Sequence, residues 1–233
     1  EEPQFIADAA ASLFETGHLA GKRVVITAGP TREALDPVRY ISNNSSGKMG
    51  YALARAAADA GAITTLVSGP VSLTPPDHIR FFGIQSAEQM LGQCLELLTE
   101  CDIFIACAAV ADYRPATFEN QKIKKEQQEM TLHLVRTPDI VAAVAASEHR
   151  PYTVGFAAES NNLLNYARNK MQRKGLDMII ANDISDQSIG FNSDDNEVTV
   201  LWRDGQQLLK RANKGAIARQ IVNLIAQQTN KID

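Results

Sequence analysis

Lys22 to Gly50 reads K-R-V-V-I-T-A-G-P-T-R-E-A-L-D-P-V-R-Y-I-S-N-N-S-S-G-K-M-G. Val24, Val25 and Ile26 make a short β-branched run that stops at Gly29-Pro30, the pattern of a buried strand meeting a turn. A simple βα unit would pass straight into its helix. Here a long polar stretch intervenes, and the amphipathic run begins only near Lys48. A connection of that length inside a compact domain is usually functional. Ser45-Ser46-Gly47 sets two hydroxyls and several backbone N–H groups just before the helix, where an anion such as a phosphate is stabilised. A serine that merely caps the helix explains the same three residues equally well.

Outward from this stretch the chain keeps alternating. A helix from Gly47 to Ala60 stops at Gly61, and strands follow at Ile63 to Val67 and Ile79 to Ile84. Ser86, with Glu88 and Gln89 in the first turn, opens the next helix. Asp102 to Ala109 is apolar enough for a central strand buried on both faces. Further strands are expected at Met130 to Val135, Tyr152 to Ala157 and Leu176 to Ala181. Pro138-Asp139 reads as a helix start with Pro in its first turn, and a helix spans Asn161 to Lys174. Glu197 to Trp202 and Gln206 to Lys210 form a hairpin around Asp204-Gly205, and a last helix covers Lys214 to Gln228. The pattern predicts an α/β, Rossmann-like fold: an open, mostly parallel sheet with helices on both faces and an appended antiparallel hairpin. The polar loops follow strands, so Gly29, Asp112 and Phe156 are expected to share one crevice at the carboxyl edge.

Composition narrows the partners. The 233 residues suit one substantial domain. A formal charge of -4 leaves no basic surplus for a nucleic-acid or polybasic membrane surface. No apolar run is long enough for a membrane span. Three cysteines, Cys94, Cys101 and Cys107, cannot all pair and show no C-x-x-C spacing, which fits a reducing, cytoplasmic setting. Cys107 reads as a buried structural thiol. The four histidines are scattered without metal-ligand spacing. Residues 4 to 16 read as an amphipathic helix, and the first residue is not Met, so residues 1–20 are expected to be a linker from an upstream domain and 21–233 the functional unit.

A sheet of this kind suggests a dinucleotide-dependent oxidoreductase first. T-A-G-P-T-R-E lacks G-x-G-x-x-G, and Leu66-Val67-Ser68-Gly69 offers no carboxylate for a ribose. No P-loop surrounds Gly47-Lys48 either. An NAD(P)-binding oxidoreductase would therefore need an atypical loop, and a non-catalytic nucleotide sensor is a third class. A second cluster, A-A-V-A-D-Y-R-P-A-T-F-E-N-Q-K-I-K-K, spans Ala108 to Lys125. Asp112 is placed to accept from an exocyclic amine. Lys122 and Lys124 project from one face of an extended segment and could neutralise a phosphoryl group, although K-I-K-K is also an ordinary solvated run. Lys170 and Lys174 stand four apart on a helix, able to face one anion together.

These motifs, with T-P-D-I-V, V-G-F-A-A-E and A-N-D, resemble in order and spacing the phosphopantothenate-cysteine ligases of bacterial coenzyme A biosynthesis, over about residues 20 to 230. The resemblance implies a two-step reaction. CTP activates the carboxylate of phosphopantothenate as an acyl-cytidylate, releasing pyrophosphate, and the amine of L-cysteine then gives phosphopantothenoylcysteine and CMP. Mg2+ is expected with the triphosphate. The resemblance also implies a homodimer, and fusion to a flavin-dependent decarboxylase that would carry FMN. Residue by residue, it implies that Asn43 and Arg39 hold the acyl-cytidylate, that Lys122 supports its formation and that Ala109 lines the acyl-phosphate site. Asp112, Pro138, Asp139, Ile140, Val141, Phe156, Lys170 and Lys174 would hold the nucleotide, with Gly29, Ser45, Ser46 and Gly47 near phosphates. The hairpin from Val198 to Leu209, or the strand around Leu132, is the expected dimer contact.

Overall fold

The computed structural model describes residues 17–125, 128–159, 162–183 and 193–231. The helix expected over residues 4 to 16 lies outside them. In chain order the elements begin with β1 (Arg23–Ala28), β2 (Arg32–Ala34), β3 (Tyr40–Ser42), α1 (Lys48–Asp59), β4 (Ile63–Ser68), β5 (Arg80–Gly83) and α2 (Ala87–Leu97). They continue with β6 (Ile103–Ala106), β7 (Tyr113–Pro115), β8 (Leu134–Arg136), α3 (Ile140–Ala145), β9 (Tyr152–Glu159) and α4 (Leu163–Lys174). β10 (Met178–Asp183), β11 (Asp195–Trp202), β12 (Gly205–Asn213) and α5 (Lys214–Thr229) complete them.

Eight strands form one sheet in the order β12-β11-β10-β9-β6-β1-β4-β5. Its six strands from β10 to β5 are parallel, and β11 and β12 close one side antiparallel. Alternation along the strands sends successive side chains to opposite faces. Ile26, Leu66, Ile105, Val154 and Ile180 pack under α1 and α5, against Leu53, Ile221 and Ile225. Val25, Val67 and Phe104 face Met90, Cys94 and Val144 of α2 and α3. Ile179 and Leu201 meet Ala167 and Met171 of α4. Burial on both faces is why the central strands read as near-continuous apolar runs.

The chain leaves β1 toward β4 and β5, then returns to β6 on the other side of β1. The loops after β1 and β6 therefore diverge from adjacent strand ends, and a crevice opens between them. Two short hairpins stand off this edge. β2 pairs β3 with Glu33 opposite Ile41, and β7 pairs β8 with Arg114 opposite Val135.

Several sequence expectations need correction. The polar stretch after Gly29 contains the β2–β3 hairpin, whose three-residue strands are too short to show periodicity. Met130 to Val135 yields only Leu134–Arg136, paired outside the main sheet. The strand expected to reach Ala109 leaves the sheet after Ala106, and Ala109 bridges Pro30 instead. Asp139 is the N-cap of α3, its carboxylate accepting from the Ala142 N–H, so Pro138 precedes the helix. The terminal hairpin is longer than expected and continues the main sheet through β10. The capping box at Ser86 and Gln89 is present as expected.

Close approach of α1 to β1 depends on Gly50, where a methyl group would come within 2.5 Å of Ala28 Cβ. Both elements lie in the core, so neither yields cheaply. Gly50→Ala should destabilise the fold by about 1–3 kcal/mol. A midpoint in thermal or urea unfolding equal to that of the unmodified chain would contradict this.

Candidate active site

The loop after β1 and the loop after β6 are stitched together residue by residue. Thr31, fully buried, has its N–H donating to Ala109 O at 3.3 Å, while its Oγ1 accepts from the Ala111 N–H at 3.0 Å. Ala109 N–H donates to Gly29 O at 2.8 Å, and Ser42 Oγ donates to Thr31 O at 2.7 Å. Asn43 completes the seam by donating from Nδ2 to Val110 O at 2.9 Å. Paired backbone groups of this kind leave little freedom in either loop.

At the head of α1 the N-cap is Gly47, in the left-handed region at φ 76°, and glycine has no side chain to cap the first turn. Ser45 instead accepts from the Gly47 N–H through Oγ at 3.3 Å. A Cβ on Gly47 would meet Val71 Cγ1 at 2.9 Å, so sterics as well as φ require glycine there. The N–H groups at a helix start are a favourable place for a phosphate.

Two clefts meet at this edge. The first, about 500 Å³, is lined by Asp112, the run from Pro138 to Val141, Phe156, Lys170 and Lys174. The second, about 540 Å³, is lined by Asn43, Ser45, Ser46, Gly47, Ala109 and Lys214. Ala108, Val110, Asp112, Phe156 and Lys170 border both, so the two are halves of one depression. That size suits a small-molecule site. Lys170 Nζ donates to Phe156 O at 2.8 Å, and Lys174 pairs with Asp139 at 3.0 Å. Both ammonium groups are therefore held on the wall by their own neighbours.

Of the residues singled out from the sequence, Asn43, Ser45, Ser46, Gly47, Ala109, Asp112, Pro138, Asp139, Ile140, Val141, Phe156, Lys170 and Lys174 line this depression. Gly29 lies one layer behind, linked to it through Ala109. Arg39 and Lys122 line neither half. Arg39 is paired with Asp36 at 3.3 Å and donates from Nη2 to Ile123 O at 2.9 Å, so these two positions sit side by side on a neighbouring segment.

The second half also contains residues to which the sequence gave no role. Lys48 pairs with Asp194 at 2.6 Å, and Lys214 Nζ donates to Ser193 O at 2.6 Å. Burial pushes the Lys214 amine below the usual lysine value, helped by Lys48 and opposed by Asp194. Lys48, through a hydrogen bond and its charge, and Lys214 hold the Asp194 carboxyl low. Asn182 Oδ1 is buried on the same wall and accepts no hydrogen bond among the described residues. Asn182 belongs to the A-N-D motif, which was the available signal. Lys214 carried none, because a lysine opening a helix is ordinary in sequence. No group of three or more His, Cys, Asp or Glu suited to a metal occurs among the described residues.

Comparison with known proteins gives this chain a family. Residues 19–229 match the model of the DNA/pantothenate metabolism flavoprotein C-terminal domain. The chain belongs to that family. It is 53% identical over 230 residues to the coenzyme A biosynthesis bifunctional protein CoaBC of Vibrio cholerae, covering 97% of this chain and 58% of that protein. To the CoaBC of Escherichia coli it is 49% identical over 229 residues, covering 96% and 56%. The chain thus spans a little more than half the length of these relatives. Among solved structures, the C-terminal domain of a CoaBC superposes with a TM-score of 0.80 at 38% identity, over 93% of this chain and all of that one. A Cab2 variant solved with phosphopantothenate-cysteine shares the fold, with a TM-score of 0.74 at 17% identity, over 99% of this chain and 96% of that one. No described helix is long and apolar enough to cross a membrane.

Cys107 borders the second half, but burial pushes its thiol up to about 12 despite the nearby Lys214. Cys94 and Cys101 are likewise raised to about 12, first by burial. Thiolate is the reactive form, so a rise from 9 to 12 cuts its fraction at pH 8 by roughly a thousandfold. The three thiols should resist iodoacetamide at pH 8 in the native chain and react together once it is unfolded. Prompt native labelling at Cys107, read by mass spectrometry, would show the site to be more open than this.

Proposed function

We propose that the depression performs CTP-dependent ligation of phosphopantothenate to L-cysteine, within coenzyme A biosynthesis. The observation that carries the reading is the shared wall. Asp112, Phe156 and Lys170 face both halves, so a nucleotide in one and an acyl group in the other would meet at that wall. Reacting groups bound in adjacent subsites gain orientation without paying for a fresh encounter. The match to coenzyme A biosynthesis proteins supplies the substrate class, and a structural neighbour holding phosphopantothenate-cysteine is consistent with it.

In the first step a carboxylate oxygen of phosphopantothenate attacks the α-phosphorus of CTP, and the bond to pyrophosphate breaks. In the second the cysteine nitrogen attacks the acyl carbon, a proton leaves the nitrogen, and the bond to CMP breaks. Asp112 accepts from the amino group of the base beside Phe156, while Lys170 and Lys174 offset charge on the nucleotide. The N–H groups after Gly47, with Ser45 and Ser46, receive phosphate oxygens, and Gly29 and Ala109 shape the backbone behind them. Asn43, fixed to Val110 O, keeps its Oδ1 for the acyl group, which orients it without proton transfer. Arg39 and Lys122 act as a pair from the rim, Arg39 toward the acyl-cytidylate and Lys122 toward the triphosphate. Mg2+ neutralises triphosphate charge when bound.

Two further assignments belong to the same reading. Residues 1–20 connect to a flavin-dependent decarboxylase half, as the family resemblance implies and the bifunctional naming of the relatives is consistent with, and FMN belongs to that half. The active form is a homodimer. Tyr113, Phe118, Leu132 and Leu134 are 39–52% exposed on and around the β7–β8 hairpin, while Val38 and Tyr40 are exposed on the β2–β3 side. Apolar exposure gathered there favours that face over the β11–β12 edge, where Leu208 is the exposed large apolar residue.

The decisive assay follows pyrophosphate release from CTP on adding phosphopantothenate, with CMP appearing only once cysteine is present. Lys122→Gln should cut the pyrophosphate step to a small residual rate. Asn43→Asp should let acyl-cytidylate accumulate, and normal cysteine ligation by that variant would refute the role given to Asn43. In sedimentation, Leu132→Asp should shift a dimer toward monomer, whereas an unchanged dimer would move the interface elsewhere.

A further inference from the structure

Asp36 is 2% exposed, and none of the roles above uses it. Its Oδ1 accepts from the N–H groups of Val38 at 2.7 Å and Arg39 at 2.8 Å. That much closes a local turn, as aspartates often do. Its Oδ2 does something the turn does not need. It accepts the Ile123 N–H at 3.1 Å, from 87 residues further along the chain, while lying 3.3 Å from Arg39 Nη1. Arg39 in turn donates from Nη2 to Ile123 O at 2.9 Å. Both backbone polar groups of Ile123 are therefore gripped by one ion pair. The neighbouring stitch from Glu119 N–H to Leu35 O, at 2.9 Å, lays the rest of the segment alongside the same loop.

Ile123 directly follows Lys122, and the loop carrying Asp36 is the one that ends in Asn43. Lys122 is exposed and lines neither half of the depression, so its own contacts do not fix its place. We propose that Asp36 is a positioning residue, clamping the Ile123 backbone through itself and Arg39 so that Lys122 is held at a set place relative to Asn43. Burial pushes this carboxyl up, but the three N–H donors and the Arg39 guanidinium overcome it and hold the group below the usual carboxylate range. The clamp is thus ionised wherever the enzyme works, and a neutral side chain cannot reproduce it. Its catalytic consequence rests on the ligase reading above, but its structural content does not.

Asp36→Asn tests it, because an amide that still accepts from Val38 and Arg39 turns its NH2 group against the Ile123 N–H. The first readout is independent of activity. Under native conditions, trypsin should nick after Lys122, Lys124 and Lys125 about tenfold faster than in the unmodified chain, with the circular dichroism spectrum unchanged. The second is a double-mutant cycle on pyrophosphate release. Asp36→Asn alone should slow that step about tenfold, yet add no more than about twofold on top of Lys122→Gln, since a residue acting through Lys122 has nothing left to position. Should Asp36→Asn fail to fold, Ile123→Pro removes the N–H in question, and its nicking rate after Lys124 and Lys125 decides instead, since trypsin does not cut the Lys–Pro bond this variant creates after Lys122. Unchanged nicking, or losses that multiply in the cycle, would overturn the clamp. If the unmodified chain releases no pyrophosphate from CTP, the ligase reading fails, while the nicking rates still judge the clamp on their own.

Discussion

The seam between the loops after β1 and β6 is the constraint on which the rest of the site depends. Two neighbouring parallel strands end side by side, and their chains must then part, because β1 leads to one side of the sheet and β6 returns on the other. Left alone, that divergence would expose a fan of unpaired backbone groups. Thr31 prevents it by presenting an N–H, a hydroxyl and a carbonyl to three different partners from a fully buried position. The crevice is consequently rigid at its root and open at its rim, which is the combination a ligand site needs.

Charge is distributed along this edge with the same economy. Lys48, Asp194 and Lys214 form a connected group at the mouth of the second half, and Lys174 with Asp139 does the same in the first. Each ammonium group has a carboxylate or carbonyl within reach before any ligand arrives. Such pairing keeps like charges from repelling one another in a partly buried cleft. An incoming anion at this edge would have to exchange existing contacts for new ones.

The two small hairpins show how the loops around the depression can be long without being loose. β2–β3 and β7–β8 lie outside the main sheet, yet each is tied to the rim. Glu33 accepts from the Ala87 N–H at the start of α2 at 2.9 Å, and Thr137 N–H donates to Asp112 O at 3.0 Å. Arg32 stacks over Tyr40 at 4.6 Å across the first hairpin. What looks like irregular connection in sequence is, in space, a set of props around the depression.

Sequence by itself determined the layered α/β architecture, because buried parallel strands and amphipathic helices leave periods that survive in one dimension. It also determined most of the cleft lining, since residues that end strands in a sheet of this kind must gather at one edge. Asp112 and Phe156 were legible for that reason, whereas Asn43 and Lys170 were picked out by the motifs shared with the family. Only tertiary structure decided that Lys214 and Asn182 face the same space, that the terminal hairpin extends the main sheet, and that Arg39 is bound to Ile123. Those facts depend on contacts between residues tens of positions apart, and local propensity carries no record of such distances. Three-residue strands such as β2 and β7 escaped for a related reason: a period of two needs more than three residues to be seen.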